Sequence, residues 1–219
     1  MIVVVGLPAY ADAPDGEKCA GGMAVETAAA AQRRGSKVEL VGKVGEDGAG
    51  DAVVLALGRM GIGHAALLRD PVRPTPVLTA VPVAADESAE PDADAPSAAV
   101  LPADPAERPT LDAEDIELAL RYLPQSSVIV LTDPVPEGAL AVAIDAAAFA
   151  AARLIVVVPA GSQPPDVPAE ATVLEAPADD DGSFGRLVGT FAAAMDGGKE
   201  PAAAFRDAVT AAGWESAAD

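Results

Sequence analysis

The chain opens on an unbroken apolar run, Ile2 to Val5, closed by Gly6 and Pro8, the pattern of a strand buried on both faces. A polar stretch, Ala9 to Ala20, separates it from residues 21–35, where a paired-glycine entry, an Ala-rich body and a closing glycine predict a helix. Val38 to Val41 predicts the next strand. Gly42 to Asp51 reads as a glycine-rich turn that opens a helix from about Ala52 to Met60, ended by Gly61. Leu67 with Leu68, then Val77 to Val83, predict strands around the turn-forming pairs Asp70-Pro71 and Arg73-Pro74.

From Asp112 onward the alternation becomes regular. A helix is predicted over Asp112 to Tyr122, a strand over Val128 to Thr132, a helix over Glu137 to Ala152 and a strand over Leu154 to Val158. This rhythm predicts a parallel sheet covered by helices. Thr172 to Leu174 adds a short strand, and helices over Ser183 to Met195 and Pro201 to Ala212 complete the series. No repeat of 20 to 50 residues is present.

Composition sharpens this picture. The 219 residues suffice for one domain with a substantial core, and with 51 Ala and few aromatics that core must be built from Val, Leu and Ala. The single Cys19 excludes an intrachain disulfide and a Cys-rich zinc site, and suits a reducing cytoplasm. No apolar run approaches the length of a bilayer crossing, so the expectation is a soluble, cytoplasmic protein. With 34 acidic against 14 basic side chains, a net charge of −20 disfavours nucleic acid and anionic membranes as partners. Half of that charge falls between residues 86 and 117, where eleven carboxylates face Arg108 alone. Within it, residues 84–97 carry two prolines and no apolar periodicity, the pattern of an acidic loop, and the spacing matches no calcium loop. The chain contains no Asn, so any carboxamide chemistry rests on Gln32, Gln125 or Gln163.

Four places hold candidate chemistry. Gly21 and Gly22 at a helix entry could bring backbone amides close to a hydroxylated or anionic ligand, though taken alone the pair is better explained as a tight turn into a helix. Gly42 to Asp51 fails as a phosphate loop, because Lys43 precedes the loop and no Gly-Lys-Ser/Thr opens the helix; Asp47 reads as an N-cap. Asp179-Asp180-Asp181-Gly182-Ser183-Phe184-Gly185 leads carboxylates into a helix, with capping the plain role for Asp181. His64, the only imidazole, has no partnered nucleophile and reads as structural or solvated.

Taken in order, these pieces resemble the ribokinase-like (PfkB-type) carbohydrate kinase family. The resemblance is carried by the Gly21-Gly22 helix, by Val41-Gly42-Lys43-Val44-Gly45-Glu46-Asp47 with Gly50 after it, and by Gly61-Ile62 through Arg73-Pro74-Thr75. Leu111 to Ile116 and the Asp179 to Gly189 segment follow. It implies one domain over residues 1–219, an α/β fold of the ribokinase-like three-layer α/β/α sandwich type with a mostly parallel sheet. It also implies a small β-hairpin lid at residues 76–101 carrying the acidic loop at 84–97. Family members often pair through that hairpin, so a homodimer is the implied partner. The family's substrate-binding glycines fall on Gly21 and Gly22, and its sugar-holding Asn falls on Glu26.

The departures point away from catalysis. The family's signature ends in an Asp that serves as base, and here that position is Gly185; Gly182, Ser183 and Phe184 stand where the family's amides form an anion hole. The family's Asn-x-x-Glu motif for Mg²⁺ and phosphate cannot exist without Asn, and the stretch after Val158 is short of a full member. The expectation is therefore a truncated, degenerate homologue with no catalytic residue, no metal site and no cofactor, which binds a sugar-like or nucleoside-like ligand near Gly21, Gly22 and Glu26. Two alternatives remain open. One is an active kinase using ATP and Mg²⁺ with an unconventional base, Asp181 being the weak candidate; the other is a structural or partner-binding protein.

Overall fold

The computed structural model describes residues 1–12, 18–82, 97–100, 104, 107–177 and 182–213. Six strands form the central sheet: β1 (Ile2–Val5), β4 (Val38–Gly45), β5 (Leu67–Asp70), β8 (Val128–Leu131), β9 (Arg153–Pro159) and β10 (Thr172–Ala176). Their spatial order is β10-β9-β8-β1-β4-β5, and every neighbouring pair is parallel. All four residues of β1 and of β8 are buried, which is why these strands read as continuous apolar runs rather than alternating ones.

Helices cover both faces. On one, Ile2, Val4, Leu40, Val128 and Ile155 pack against α1 (Met23–Arg33), α2 (Gly48–Arg59), α5 (Ser183–Asp196) and α6 (Pro201–Ala212). On the other, Val3, Val5, Val41, Ile129 and Val156 meet α3 (Ala113–Arg121) and α4 (Glu137–Ala150). The expected three-layer α/β/α arrangement is present. Two antiparallel pairs stand outside the sheet: β2 (Ala9–Asp12) with β3 (Lys18–Gly21), and β6 (Thr79–Pro82) with β7 (Ser97–Val100). The second pair falls within the hairpin expected at 76–101, whereas residues 84–96 of its acidic loop lie outside the described residues.

Two local expectations change. The stretch from Ala9 to Ala20 reads only as polar, with no element assigned to it, yet it supplies β2 and β3. Their pairing is fixed from a distance: the Tyr10 amide donates to the Pro76 carbonyl (2.8 Å), and the Leu78 amide donates to the Tyr10 carbonyl (2.8 Å). The strand read as ending at Val41 continues to Gly45, because β5 pairs with residues 42–45. Gly42 is needed there for close approach, since a Cβ would lie 2.6 Å from the Gly6 carbonyl oxygen. No helix among the described residues is long and apolar enough to cross a membrane.

Candidate active site

From β1 the chain passes through α1 on one face to β4, while from β8 it passes through α4 on the other face to β9. β1 and β8 are adjacent, so their connections diverge and leave a crevice beyond their carboxyl ends, the position where open α/β sheets bind ligands. Asp133 stands in that crevice, two residues past the end of β8. Its Oδ2 accepts the Leu7 amide at 2.9 Å and the Thr132 hydroxyl at 3.2 Å, which locks the carboxyl across the end of β1. Gly6 makes this possible: a Cβ there would lie 2.5 Å from Asp133 Oδ2 and 2.1 Å from Thr132 Oγ1. Burial pushes the Asp133 pKa above the ordinary carboxylate value, against the pull of the Leu7 amide, the Thr132 hydroxyl and the Arg108 guanidinium.

Asp133 borders three cavities. One of about 280 Å³ brings it together with Arg108 and Thr110. A second, about 360 Å³, lies under Met23 at the start of α1, and a third, about 210 Å³, includes Ser162 and Gln163. A larger apolar groove of about 740 Å³ runs between α3 and α4, lined by Leu120, Val142 and Phe149. It lies against the helices near Ser126, which precedes β8, and so is remote from the strands' carboxyl ends.

The residues singled out in the sequence gather at the start of α1 and α5. Gly22 is the N-cap of α1 with φ +93°, a conformation that favours glycine. Gly21 ends β3 opposite Ala9, and a Cβ on it would meet Leu78 Cδ1 at 2.6 Å. Glu26, one turn into α1, crosses to the beginning of α5. A Cβ at Gly185 would lie 2.8 Å from the Glu26 Cβ and 3.2 Å from the Met23 sulfur, and Glu26 Oε2 is 3.7 Å from Arg186 Nη1. Phe184 turns its ring into the core at 6% exposure. Asp181, the candidate base, lies outside the described residues, as do Asp179 and Asp180.

The glycine-rich turn has a structural explanation. Asp47 Oδ1 accepts the Gly50 amide (2.7 Å) and the Thr75 hydroxyl (2.7 Å), and its Oδ2 accepts the Thr75 amide (2.8 Å). Arg69 donates to the Gly45 carbonyl (3.0 Å) and to Asp51 (2.7 Å), and Lys43 pairs with Asp115 on α3. The loop's polar groups are thus engaged with β5, α3 and the Thr75 segment. Asp47 is the N-cap expected from the sequence, and the His64 ring lies 3.0 Å from the Ile62 carbonyl oxygen through Nδ1.

A family model described as pfkB family carbohydrate kinase matches residues 7–178. The chain belongs to this family. Comparison with curated proteins returns no match. Solved structures agree with the fold. The protein named Sa239 is similar at a TM-score of 0.72 and 13% identity, with 96% of this chain and 92% of that chain covered. The ribokinase of Arabidopsis thaliana complexed with ribose and ATP gives 0.65 and 17%, with 96% and 90% covered. A sugar kinase of Pyrococcus horikoshii in complex with ATP gives 0.54 and 18%, with 72% and 53% covered, so the chain spans about half the length of that protein.

Within this PfkB frame, sequence reasoning missed Asp133. A signal was available: a carboxylate directly after the apolar strand Val128 to Thr132, followed by Pro134, sits where a doubly wound sheet presents ligand-binding groups. The α5 start, by contrast, is a poor cradle for nucleotide phosphates and their metal. Glu26 carbon atoms fill the space beside Gly182 and Gly185, and the Glu26 carboxylate stands there with Arg186 at 3.7 Å.

Proposed function

We propose that this chain is a non-catalytic PfkB-type carbohydrate kinase homologue, one domain over residues 1–219 with a lid hairpin at 76–101. In this reading it keeps a cleft for a sugar-like or nucleoside-like small ligand at the carboxyl ends of β1, β8 and β9. The observation that carries the proposal is the packing at Gly185. The family's base position lacks a side chain, and it lies so close to Glu26 that even a Cβ would crowd the Glu26 Cβ at 2.8 Å. Around that position α1 and α5 pack closely against each other. The cavities around Asp133 remain open beside that packing, with Met23 shared between the two, which supports retained binding without phosphoryl transfer.

Restoring the missing carboxylate therefore does not restore a kinase. Gly185→Asp is expected to destabilise the fold by about 1–2 kcal/mol through overpacking against Glu26 and Met23. Both it and the wild type are expected to release no ADP in the presence of MgATP with ribose, fructose or adenosine. Melting temperatures read stability and a coupled ADP assay reads turnover; acceptor-dependent ADP release by the wild type would establish the active-kinase reading instead. Sugars and nucleosides are expected to raise the melting temperature, by more the tighter they bind at a fixed concentration, and MgATP to leave it unchanged.

A further inference from the structure

The chemistry lining the cleft says more about its ligand than the family does. In the 360 Å³ cavity, Met23, Val157, Pro159, Ala176 and their neighbours form apolar walls, and Asp133 supplies the one charged side chain among the described lining residues. The same holds in the 210 Å³ cavity, where the polar additions are the neutral Ser162 and Gln163. Asp133 is fixed through Oδ2 alone: the Leu7 amide and the Thr132 hydroxyl both donate to that oxygen, and among the described residues nothing donates to Oδ1. One oxygen is a built anchor and the other is an acceptor left for a ligand.

A phosphate would meet this carboxylate as a like charge, with no basic side chain among the described lining residues of either cavity to offset it. A neutral hydroxyl would make one ordinary hydrogen bond, whereas a cation would gain a charge-assisted one in a site of low polarity. We propose that the cleft selects ligands that present a primary ammonium group to Asp133 Oδ1, in place of a hydroxyl or a phosphate. This inference rests on the reading of the cleft as a ligand site and names the chemical class that it takes. Burial of an ionised carboxyl is unfavourable unless a positive group compensates it; burial pushes the Asp133 pKa upward, and an ammonium group at Oδ1 would act against that push. Arg108 lines the 280 Å³ cavity and acts on Asp133 from there, and the described lining residues of the other two cavities include no cation.

Matched pairs of probes test this on the full chain at neutral pH: glucosamine against glucose, 3′-amino-3′-deoxyadenosine against adenosine, and isopentylamine against isopentanol. In at least one pair the amine is expected to bind about ten-fold or more tightly than its hydroxyl partner by calorimetry, with a larger rise in melting temperature. The preference is expected to vanish in Asp133→Asn, which retains an acceptor for Leu7 and Thr132, and circular dichroism with a cooperative melt establishes that the variant is folded. Independently of any variant, a crystal of the wild type soaked with the preferred amine should place its nitrogen within about 3.2 Å of Oδ1. Equal binding within every pair, an amine preference that survives in folded Asp133→Asn, or a nitrogen placed away from Asp133 overturns the ammonium inference while the cleft reading stands. No response to any probe, amine or hydroxyl, overturns both.

Discussion

Gly189→Ala is expected to be among the most damaging single-methyl additions in this protein, lowering stability by about 3 kcal/mol or more. A Cβ at Gly189 would lie 2.2 Å from the Thr27 carbonyl oxygen and 2.8 Å from the Ala30 Cβ. Neither obstacle is a flexible side-chain end. The oxygen belongs to the backbone of α1, and Ala30 is 5% exposed, so the two helices must separate to admit the methyl. Separation would uncover Ala24, Ala28, Ala31, Leu187, Val188 and Phe191, which share one continuous apolar cluster on this face of the sheet. A core rich in Ala compensates for little buried area per residue by bringing backbones close, and that closeness leaves no slack. For a chain of this size the loss corresponds to a fall of about 6 °C or more in melting temperature. A variant melting within a degree of wild type would show that α1 and α5 are not packed in this way. Because Gly185 lies one turn before Gly189 on the same helix, such a result would also weaken the proposal that tight packing at Gly185 leaves no room for a side chain there.

Most of the fold was legible because its signals are local. β1, β8 and β9 are short apolar runs bounded by Gly, Pro or polar residues, and α6 is bracketed by Pro201 and Gly213, so periodicity and punctuation suffice. The elements that escaped depend on partners far along the chain. β2 is held by Pro76 and Leu78, and the second half of β4 exists because residues 67–70 align with it. Asp47 was readable as a cap because its first acceptor contact, with Gly50, is three residues away. The place of Asp133 after an apolar strand was readable from its neighbours, whereas the contacts that hold it come from Gly6 and Leu7 more than a hundred residues earlier. The family resemblance pointed to Gly21, Gly22 and Glu26 as ligand contacts. Here Gly21 packs beneath Leu78, Gly22 caps α1, and Glu26 faces Gly185 and Arg186.

Asp47→Ala is expected to cost about 2–3 kcal/mol, and the loss should depend on pH with a defined sign. The carboxylate joins the start of α2 to the segment after β5: it caps the Gly50 amide and takes both the amide and the hydroxyl of Thr75, a residue only 3% exposed. Removing the cap costs about 1 kcal/mol, and a buried Thr75 amide left without an acceptor costs about 1–2 kcal/mol more. The Thr75 hydroxyl would keep its second role, accepting the Gly45 amide at 2.9 Å, so the strand end itself should survive. Burial acts to raise the Asp47 pKa, but the hydrogen bonds from Thr75 and Gly50, with Arg69 nearby, outweigh it and hold the pKa below the ordinary value. A group depressed in the folded state contributes stability above its unfolded pKa and loses that contribution as pH falls through the folded pKa. The gap in stability between wild type and Asp47→Ala should therefore be full at neutral pH and narrow on acidification below about pH 4, where unfolded aspartate begins to take up protons. Denaturant melts of both proteins between neutral and acid pH measure that gap directly. A gap that stayed constant across the range would mean that Asp47 acts through its shape alone, and a gap that widened in acid would reverse the assigned direction of its pKa.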